Sequence, residues 1–257
     1  YANVLLTPDS KIRTHETGTR HKAAERIAKQ IGTLVIAISE RRNEITLFYK
    51  NIRHLLKNTA ELLRKVNEHI QLIEKQRELF DKHVAQLNSS ELRNFDSLKQ
   101  ALQVIQKGRI IQKIAEDIKR HVVELGNEGT LLKTRFKEIL SGVEKETYLT
   151  IKDYTKLNLK KSKILLESLS YEETLDKENI LRILAYENQS QQNVIKGWRL
   201  LSKTSLSEAD IALVVKSLGS LGKAMHSNGK AYAEILGDEK AVSFKHEIER
   251  IKLNESY

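Results

Sequence analysis

The sequence predicts a short α/β segment at its N-terminus followed by a long region made only of helices. Residues 1–57 hold four short runs rich in β-branched and aromatic side chains, which flank a single amphipathic stretch. From about residue 58 the apolar residues recur three and four positions apart, as they do in packed helices. The chain of 257 residues has one Pro, no Cys and 30% charged residues, which is typical of a mostly helical intracellular protein.

The first segment is predicted to be half of an α/β domain. The runs that we interpret as strands are residues 1–6, 34–39, 45–49 and 52–56, with a hairpin turn at 40–43 and a helix at 20–31. Because the chain begins with Tyr1, inside a predicted strand, we expect it to be a fragment that starts within this domain. We assign residues 1–57 to the second half of the domain.

The rest of the chain is predicted to consist of long helices that pack against one another. The first apolar seam comprises Leu63, Val66, Ile70, Ile73, Arg77, Phe80, Val84 and Leu87, and the second comprises Ile111, Ile114, Ile118 and Val122. We interpret both as packing surface rather than as a cofactor site, and expect Gly126 and Gly129 to end the second helix. We assign residues 58–185 to a helical linker and 186–257 to a C-terminal helical domain.

Residues 16–26 are the densest stretch of groups that can hold a polyphosphate. Gly18 permits a tight turn, Thr19 is a natural N-cap, and the helix that follows directs free N–H groups and a positive dipole end at its surroundings. Arg20, His21 and Lys22 add three cationic or hydrogen-bonding side chains in the first turn. The sequence therefore favours a nucleoside triphosphate site. The alternatives are a solvated basic surface and, for His21, a helix-capping role without a ligand.

Positive charge is concentrated at this end of the chain. Residues 11–57 contain eleven Lys or Arg against four Glu, which accounts for +7 of the formal net charge of +10. Such an excess attracts ATP and offsets the repulsion between two triphosphates. Since we find neither a membrane-length apolar run nor a signal peptide, we expect a cytoplasmic protein that does not contact membranes.

The motif resembles that of a known family. The stretch Gly-Thr-Arg-His-Lys-Ala-Ala-Glu-Arg at 18–26 is similar to the nucleotide-binding motif of the diadenylate cyclase domain, and most similar to that of the bacterial DNA integrity scanning family. Further segments that resemble the family, in the right order, are residues 1–9, 34–43, 121–131 and 196–202. The resemblance implies a cyclase domain, a helical spine and a DNA-binding helix-hairpin-helix tail.

The resemblance also implies an activity and a set of contacts. The activity is the condensation of two ATP into cyclic di-AMP with release of two pyrophosphates, with Mg²⁺ or Mn²⁺, in a nucleoid-associated homo-octamer. The residues expected to bind ATP are Leu6, Gly18, Thr19, Arg20, His21, Lys22, Ala23 and Ser39. Of these, Leu6 is expected against the adenine or ribose, Ser39 near the phosphates, and Arg20, His21 and Lys22 are the expected catalytic residues.

The sequence departs from the family at the nucleotide site. The family's Asp-Gly-Ala motif, which holds the metal, is missing from these 257 residues, and no cluster here has metal-site spacing, so we expect this chain alone to be inactive. Lys22 stands where the family has Arg and Ala23 where it has Thr, which removes a planar fork and a hydroxyl. The alternative function is therefore a catalytically weakened scaffold that senses nucleotide or DNA. A helical assembly protein without ligands would explain the seams but not the motif.

The C-terminal segment also differs from the family's pattern. Residues 232–241 lie where the family has the helix-hairpin-helix, whose two turn glycines offer N–H groups to a DNA phosphate, and Ile235 occupies the first glycine position. Residues 191–257 carry ten Lys or Arg against eight Asp or Glu, a net charge of +2. We expect Gly237, Lys240 and Lys245 to be the remaining DNA contacts, and binding of branched or junction DNA to be weak.

Overall fold

The computed structural model describes residues 3–42, 44–93, 95, 97–190 and 193–254. These fall into two compact units. The first consists of Tyr1–Glu68 and Arg120–Leu132, and the second of His69–Lys119 and Lys133–Tyr257. The division reflects compactness alone, so the boundaries predicted after residues 57 and 185 stay predictions.

The N-terminal part of the first unit, before residue 59, is described as a helix and a three-stranded antiparallel sheet. Its elements are α1 (Thr19–Ile31), β1 (Leu34–Ser39), β2 (Glu44–Tyr49) and β3 (Ile52–Leu55), with the strands in the order β1-β2-β3. Ser39 pairs with Glu44 across the first hairpin, and Tyr49 pairs with Ile52 across the second. The predicted helix and the three strands after it are therefore confirmed to within a residue or two, as is the turn at residues 40–42, while residue 43 lies outside the described residues.

The strand predicted at residues 1–6 is wrong for the residues that are described. Residues 3–9 form no strand, and Leu6 is 51% exposed, while Tyr1 and Ala2 lie outside the described residues. Apolar, β-branched residues become a strand only where a neighbouring strand accepts their backbone hydrogen bonds. The first described bond between this part of the chain and α1 comes later, where Asp9 N–H donates to the Gln30 side chain at 3.1 Å.

The core of the first unit lies between α1 and one face of the sheet. Ala24 and Ala28 of α1 pack with Phe48 of β2, and Val35 and Ala37 of β1 complete this cluster. The alternate residues of the strands point the other way, as the two-residue period of a strand requires. Several of them are exposed apolar side chains, namely Leu34, Ile36, Ile38, Ile45, Tyr49 and Ile52.

Helices make up the remainder of the described chain. They are α2 (Thr59–Leu92), α3 (Leu98–Glu124), α4 (Thr130–Leu140), α5 (Val143–Tyr154), α6 (Leu159–Ser168), α7 (Tyr171–Leu175), α8 (Lys177–Ile183), α9 (Trp198–Leu201), α10 (Glu208–Leu218), α11 (Leu221–His226), α12 (Gly229–Leu236) and α13 (Asp238–Asn254). None of the helices in the described part of the chain is long and apolar enough to cross a membrane. The two predicted seams are confirmed except at Leu63 and Val84, which are half-buried; Leu62 is buried in place of Leu63. The buried members are Val66, Ile70, Ile73, Phe80 and Leu87 of α2, and Ile111, Ile114, Ile118 and Val122 of α3.

Arg77, the polar position in the first seam, caps another helix. Its Nη1 donates to the carbonyl oxygens of Ile139 and Ser141 at 2.7 Å each, and its Nε bonds the carboxylate of Asp81. The last carbonyls of a helix lack intrahelical donors, so the guanidinium supplies them at the end of α4. The predicted stop after α3 is also confirmed, because α3 ends at Glu124 and Gly126 has a φ of +57°.

A buried charged network joins α9 to α2 and α5. Arg199 is fully buried, and its guanidinium bonds Glu91 at 2.6 Å, Glu146 at 2.7 Å and the Asn88 side chain at 2.6 Å. The carboxylate of Asp153 accepts the backbone N–H groups of Gly197, Trp198 and Arg199 at 2.8–2.9 Å, and so caps the start of α9. The segment that resembles the family's entry to its tail is thus anchored to the linker helices.

The last two helices are joined by a single residue. Gly237, with a φ of +82°, separates α12 from α13, and Tyr232 packs edge-on against Phe244 with their ring centroids 5.0 Å apart. A positive φ is the conformation for which glycine is favoured. The classification of these helices as a helix-hairpin-helix stays a prediction.

Candidate phosphate-binding site

The candidate site is the N-terminus of α1. The helix begins at Thr19, and the N-cap is Gly18, so the prediction that Thr19 is the cap is wrong by one position. Thr19 has helical backbone angles, whereas an N-cap residue is extended, as Gly18 is. Glycine has no side chain to cap with, and the first turn contains no acidic residue. The first N–H groups of the helix are therefore left for another acceptor.

The backbone at Gly18 is extended rather than tightly turned. Its φ of −85° and ψ of 142° are open to any residue, so the tight turn predicted there is wrong. A Cβ placed at Gly18 would meet no atom within 4 Å. The described fold thus does not itself require glycine here, and the space in front of the helix is open.

Three side chains in the first turn of α1 have no bonding partner among the described residues. Arg20, His21 and Lys22 have no hydrogen bond or ion pair with any residue that the structure describes. Arg20 and Thr19 are exposed, while His21, Lys22 and Ala23 are half-buried. The hydrogen-bonding capacity of these three side chains is consequently available to a ligand.

Other basic residues of the first unit are engaged in holding the fold. Arg26 donates to the carbonyl oxygens of Ile12 and Ser10 at 3.0 and 2.9 Å, and Lys29 donates to Arg13 O at 2.9 Å. These bonds fasten the loop that precedes α1 onto the helix. Part of the positive charge counted in the sequence therefore serves to hold the fold, while Arg20, His21 and Lys22 at the start of α1 are not used in this way.

A buried carboxylate also helps to hold the loop before α1 against the helix. Glu25 accepts the backbone N–H of His15 at 3.1 Å and the ammonium of Lys29 at 2.7 Å. Burial opposes its ionisation, but the hydrogen bonds from Lys29 and His15 outweigh burial and lower the pKa of Glu25. Glu25 is thus charged at neutral pH and is occupied away from the first turn.

The β1–β2 turn also lies close to the start of α1. The Ser39 hydroxyl accepts the backbone N–H of Arg42 at 3.4 Å, and Arg42 Nη2 lies 3.5 Å from Oγ1 of Thr17. Ser39, predicted from the resemblance, bonds the backbone of Arg42, and no described hydrogen bond joins it to the first turn of α1. Arg42 was not predicted as a site residue, because its sequence signal was only its share of the local charge. Leu6 is exposed, and no described hydrogen bond connects it to the first turn.

The described residues do not form a metal site. Among them there is no group of three or more His, Cys, Asp or Glu side chains that could hold an ion. Divalent cations such as Mg²⁺ need several oxygen ligands, only some of which can be water or phosphate. These residues therefore do not fit the ion that the resemblance implies, and we derive no chemical step through a metal.

Two of the three residues predicted to contact DNA already make hydrogen bonds within the protein. Gly237 donates its N–H to Ala233 O at 2.9 Å, and Lys240 bonds the carboxylate of Asp210 at 2.8 Å. Hydrogen bonds from Lys240 and Ser207 lower the pKa of Asp210, so this pair is charged at neutral pH. Lys245 is exposed and has no bonded partner among the described residues. Of the two lysines, Lys245 is the one whose charge is not offset by a carboxylate among the described residues.

Two family models match the chain. The one described as "DisA bacterial checkpoint controller nucleotide-binding" matches residues 1–52, which include α1 and its N-terminus. The one described as "DisA bacterial checkpoint controller linker region" matches residues 56–193. The first match therefore covers the candidate site, and the second covers a large part of the helical region.

Curated relatives extend over almost the whole chain. A protein named "DNA integrity scanning protein DisA" from Bacillus subtilis (strain 168) is 35% identical over 261 residues, which cover 98% of this chain and 72% of the relative. The protein of the same name from Bacillus pumilus is also 35% identical, over 98% of this chain and 73% of the relative. The protein of the same name from Clostridium acetobutylicum is 32% identical over 259 residues, which cover 98% of this chain and 72% of the relative.

Proposed function

The chain belongs to the DisA family of bacterial checkpoint controllers, and from this premise we propose that it is part of a diadenylate cyclase. The proposed reaction joins two ATP into cyclic di-AMP and releases two pyrophosphates. The observation that supports the proposal most strongly is the N-terminus of α1. Its first N–H groups have no side-chain cap, and Arg20, His21 and Lys22 beside them have no bonding partner among the described residues. A helix start of this kind is suited to a multiply charged anion.

The side chains of the first turn have distinct roles in this proposal. Thr19 and the backbone up to Ala23 offer N–H groups and a hydroxyl to the phosphates, and Arg20 supplies a planar fork for two phosphate oxygens. His21 and Lys22 add donors beside it. The open space at Gly18 lets the phosphates approach the backbone closely.

Two further residues complete the proposed ATP contacts. Leu6 offers an exposed apolar surface to the adenine or ribose. Ser39, at the end of β1, is assigned to the neighbourhood of the phosphates. Both assignments come from the family resemblance.

The proposed chemistry is a phosphoryl transfer between two nucleotides that face each other. The 3′-oxygen of one ATP forms a bond to the α-phosphorus of the other, the bond from that phosphorus to the bridging oxygen breaks, and pyrophosphate leaves. The hydroxyl proton passes to solvent. The same step in the opposite direction closes the ring and releases the second pyrophosphate. Arg20, His21 and Lys22 position the phosphates and stabilise the charge that develops on them.

This geometry makes oligomerisation part of the proposed function. One α1 site holds one ATP, so a second copy of the protein must present the other nucleotide; we propose a homo-oligomer, an octamer as the resemblance implies. Mg²⁺ or Mn²⁺ accompanies the triphosphates, while the described residues contribute no ligand cluster to it. The Asp-Gly-Ala tripeptide occurs nowhere in the 257 residues, and we propose that these residues alone bind ATP without turning it over.

The C-terminal helices are proposed to sense DNA structure. Lys245 is the main contact, because Asp210 offsets the charge of Lys240 and the N–H of Gly237 is bonded to Ala233 O. Several tails in one oligomer raise the affinity for a branched DNA above that of a single tail. In this proposal the protein is cytoplasmic and is associated with the nucleoid.

The proposal is tested by binding and by product analysis. ATP binding to the 257-residue chain is measured by isothermal titration, and cyclic di-AMP is sought by chromatography after incubation with ATP and Mg²⁺ or Mn²⁺. We expect ATP binding that Arg20→Ala abolishes, and no cyclic di-AMP. A longer form of the protein that carries an Asp-Gly-Ala tripeptide should release the product. If such a form binds ATP and makes no product, the sensing scaffold is the better description; if the chain binds no ATP, the site assignment is wrong.

A further inference from the structure

Lysine side chains accumulate around the turn between α5 and α6, in the second unit. Residues 154–166 contain four Lys and no Asp or Glu, which gives this short segment a net charge of +4. The whole of residues 191–257 carries only +2. The helices before the C-terminal segment therefore hold the denser cluster of positive charge.

Three of these lysines have a charge that no carboxylate offsets. Lys156, Lys160 and Lys161 are exposed, and none of them forms an ion pair with a described residue. The ammonium of Lys156 lies 4.1 Å from the ring centroid of Tyr186. Lys163, the fourth lysine, has its Nζ 3.7 Å from a carboxylate oxygen. The first three are called the linker lysine patch below.

The sequence around the linker lysine patch does not compensate its charge. A lysine on a helix is stabilised by an acidic residue three or four positions away. Around Lys160 those positions hold two lysines and two apolar residues, and around Lys161 they hold Asn158 and three apolar residues. Both lysines also lie in the first turn of α6, where the helix dipole disfavours positive charge. The arrangement therefore costs stability in the absence of an anion, and such conflicts are typical of functional surfaces.

Hydrogen bonds fix the turn that carries the patch. Oγ1 of Thr155 lies 2.7 Å from Oγ of Ser162 and accepts the backbone N–H of Leu157 at 3.1 Å. The Asn158 side chain accepts the backbone N–H of Lys160 at 2.9 Å and so caps α6. Because the helix is capped, the groups available to an anion are the lysine side chains.

The patch adjoins the segment that leads into the C-terminal helices. Lys196, just before α9, donates its ammonium to the carbonyl oxygens of Lys152 and Thr155 at 3.3 and 3.2 Å. These residues belong to the same compact unit. A polyanion that contacts both the C-terminal helices and the patch gains affinity from two linked contacts.

We propose that Lys156, Lys160 and Lys161 form a second DNA-contacting surface, which binds the phosphate backbone of duplex DNA. The inference rests on the proposed DNA-sensing function of the C-terminal helices and adds a contact outside them. Lysine ammonium groups neutralise phosphates without reading base sequence. The bonds between this turn and the start of the C-terminal segment favour DNA over other polyanions as the partner.

The experiment is a fluorescence titration of labelled duplex DNA with the 257-residue chain at several salt concentrations. Lys160→Glu/Lys161→Glu should weaken binding about tenfold or more at low salt, and should reduce the slope of log Kd against log salt concentration by about two, one for each lost phosphate contact. The matched control is Lys75→Glu/Lys82→Glu, which changes the net charge equally at two exposed positions of α2. It should weaken binding less than about threefold and leave the slope unchanged.

The charge reversal should not unfold the protein. Acidic residues are favoured in the first turn of a helix, so Lys160→Glu/Lys161→Glu should raise the melting temperature by about 1–4 °C. Weaker DNA binding by an equally stable or more stable protein is then due to the lost contact. Lys160→Ala/Lys161→Ala provides a second variant, without new negative charge, and should reduce the salt slope in the same way.

Four outcomes would overturn the inference. If the control variant weakens binding as much as the patch variants do, the effect is one of general charge. If Lys245→Ala weakens binding while the patch variants do not, the C-terminal helices sense DNA and the patch has no part in it. If the patch variants lose only binding to vesicles that contain phosphatidylglycerol, the patch contacts a membrane. If the parent chain binds no duplex DNA at low salt, the proposed DNA-sensing function fails together with the inference.

Discussion

The carboxylate of Asp153 accepts the backbone N–H of Arg199 at 2.9 Å, which joins the end of α5 to the start of α9 inside the second unit. The guanidinium of the same arginine bonds Glu91, a carboxylate on α2, at 2.6 Å. Both Arg199 and Glu91 are almost completely buried. A buried ion pair of this kind gives little net stability by itself, but removing one member leaves an unpaired buried charge.

We therefore expect Arg199→Met to destabilise the second unit by about 3–5 kcal/mol. The variant leaves Glu91 buried without its cation and removes the bond to Glu146. Urea unfolding followed by circular dichroism measures the loss. Arg64→Met is the control, since Arg64 makes only an exposed pair with Glu68, and it should change stability by less than about 0.5 kcal/mol. Equal effects of the two variants would contradict the role given to Arg199.

Asp153 should make the stability of the protein depend on pH. Burial, together with the charge of Glu91, raises the pKa of Asp153 to about 7. The folded chain therefore binds this proton more tightly than the unfolded chain does, so the contribution of Asp153 to stability is greatest in acid and is lost as the pH rises from about 4 to about 7. Each unit of pKa difference corresponds to about 1.4 kcal/mol.

The variant Asp153→Asn isolates this effect. It keeps one oxygen that can accept N–H groups at the start of α9 but cannot titrate. The free energy of unfolding, measured at pH 5 and pH 7.5, should fall less between the two values in Asp153→Asn than in the parent chain. Burial also raises the pKa of Glu91, so a part of the decrease with the same sign should persist. Identical decreases in both proteins would exclude Asp153 as the titrating group.

Gly108 is expected to be intolerant of a side chain. A Cβ at this position in α3 would lie much closer to Oγ1 of Thr147, a fully buried residue of α5, than van der Waals contact allows. Overpacking of this kind costs about 1–3 kcal/mol, so Gly108→Ala should lower the melting temperature measurably. The double variant Gly108→Ala/Thr147→Ala should recover part of the loss. If Gly108→Ala is as stable as the parent chain, α3 and α5 do not approach each other in this way.

Sequence patterns were sufficient where local periodicity determines structure. The spacing of Ala24 and Ala28 and the alternation in β1 follow from burial of one face, and the structure confirms both elements. The predicted strand at residues 1–6 failed because a strand also needs a partner, which no local pattern reveals. The burial of Arg199 could not be predicted from the sequence either, since an arginine is usually exposed. Arg42 meets Thr17 only because a hairpin returns the chain to α1, so its position is a property of the fold.

Restoring the family's residues in the first turn should strengthen ATP binding. Lys22→Arg adds a planar fork and Ala23→Thr adds a hydroxyl beside the uncapped end of α1, and each is expected to contribute on the order of 1 kcal/mol. Isothermal titration of ATP into the two single variants measures the gain, and a catalytically active longer form allows turnover to be compared. Arg20→Ala should weaken binding by more than either gain. An unchanged affinity in Arg20→Ala would show that this turn does not hold phosphate.

The tail is expected to bind DNA weakly, without sequence preference and with a steep dependence on salt. Its net charge is only +2 over residues 191–257, and Lys240 is held by Asp210 at 2.8 Å. A contact made by lysines and phosphates alone loses affinity as counterions are added. Because Lys245 is uncommitted, Lys245→Ala should weaken binding more than Lys240→Ala does, and Asp210→Asn should strengthen it by freeing Lys240. The measurement is a fluorescence titration of the 257-residue chain with duplex and four-way-junction DNA at two salt concentrations. Tight binding that salt does not reduce would contradict the electrostatic origin, and the absence of binding at low salt would mean that these helices do not contact DNA.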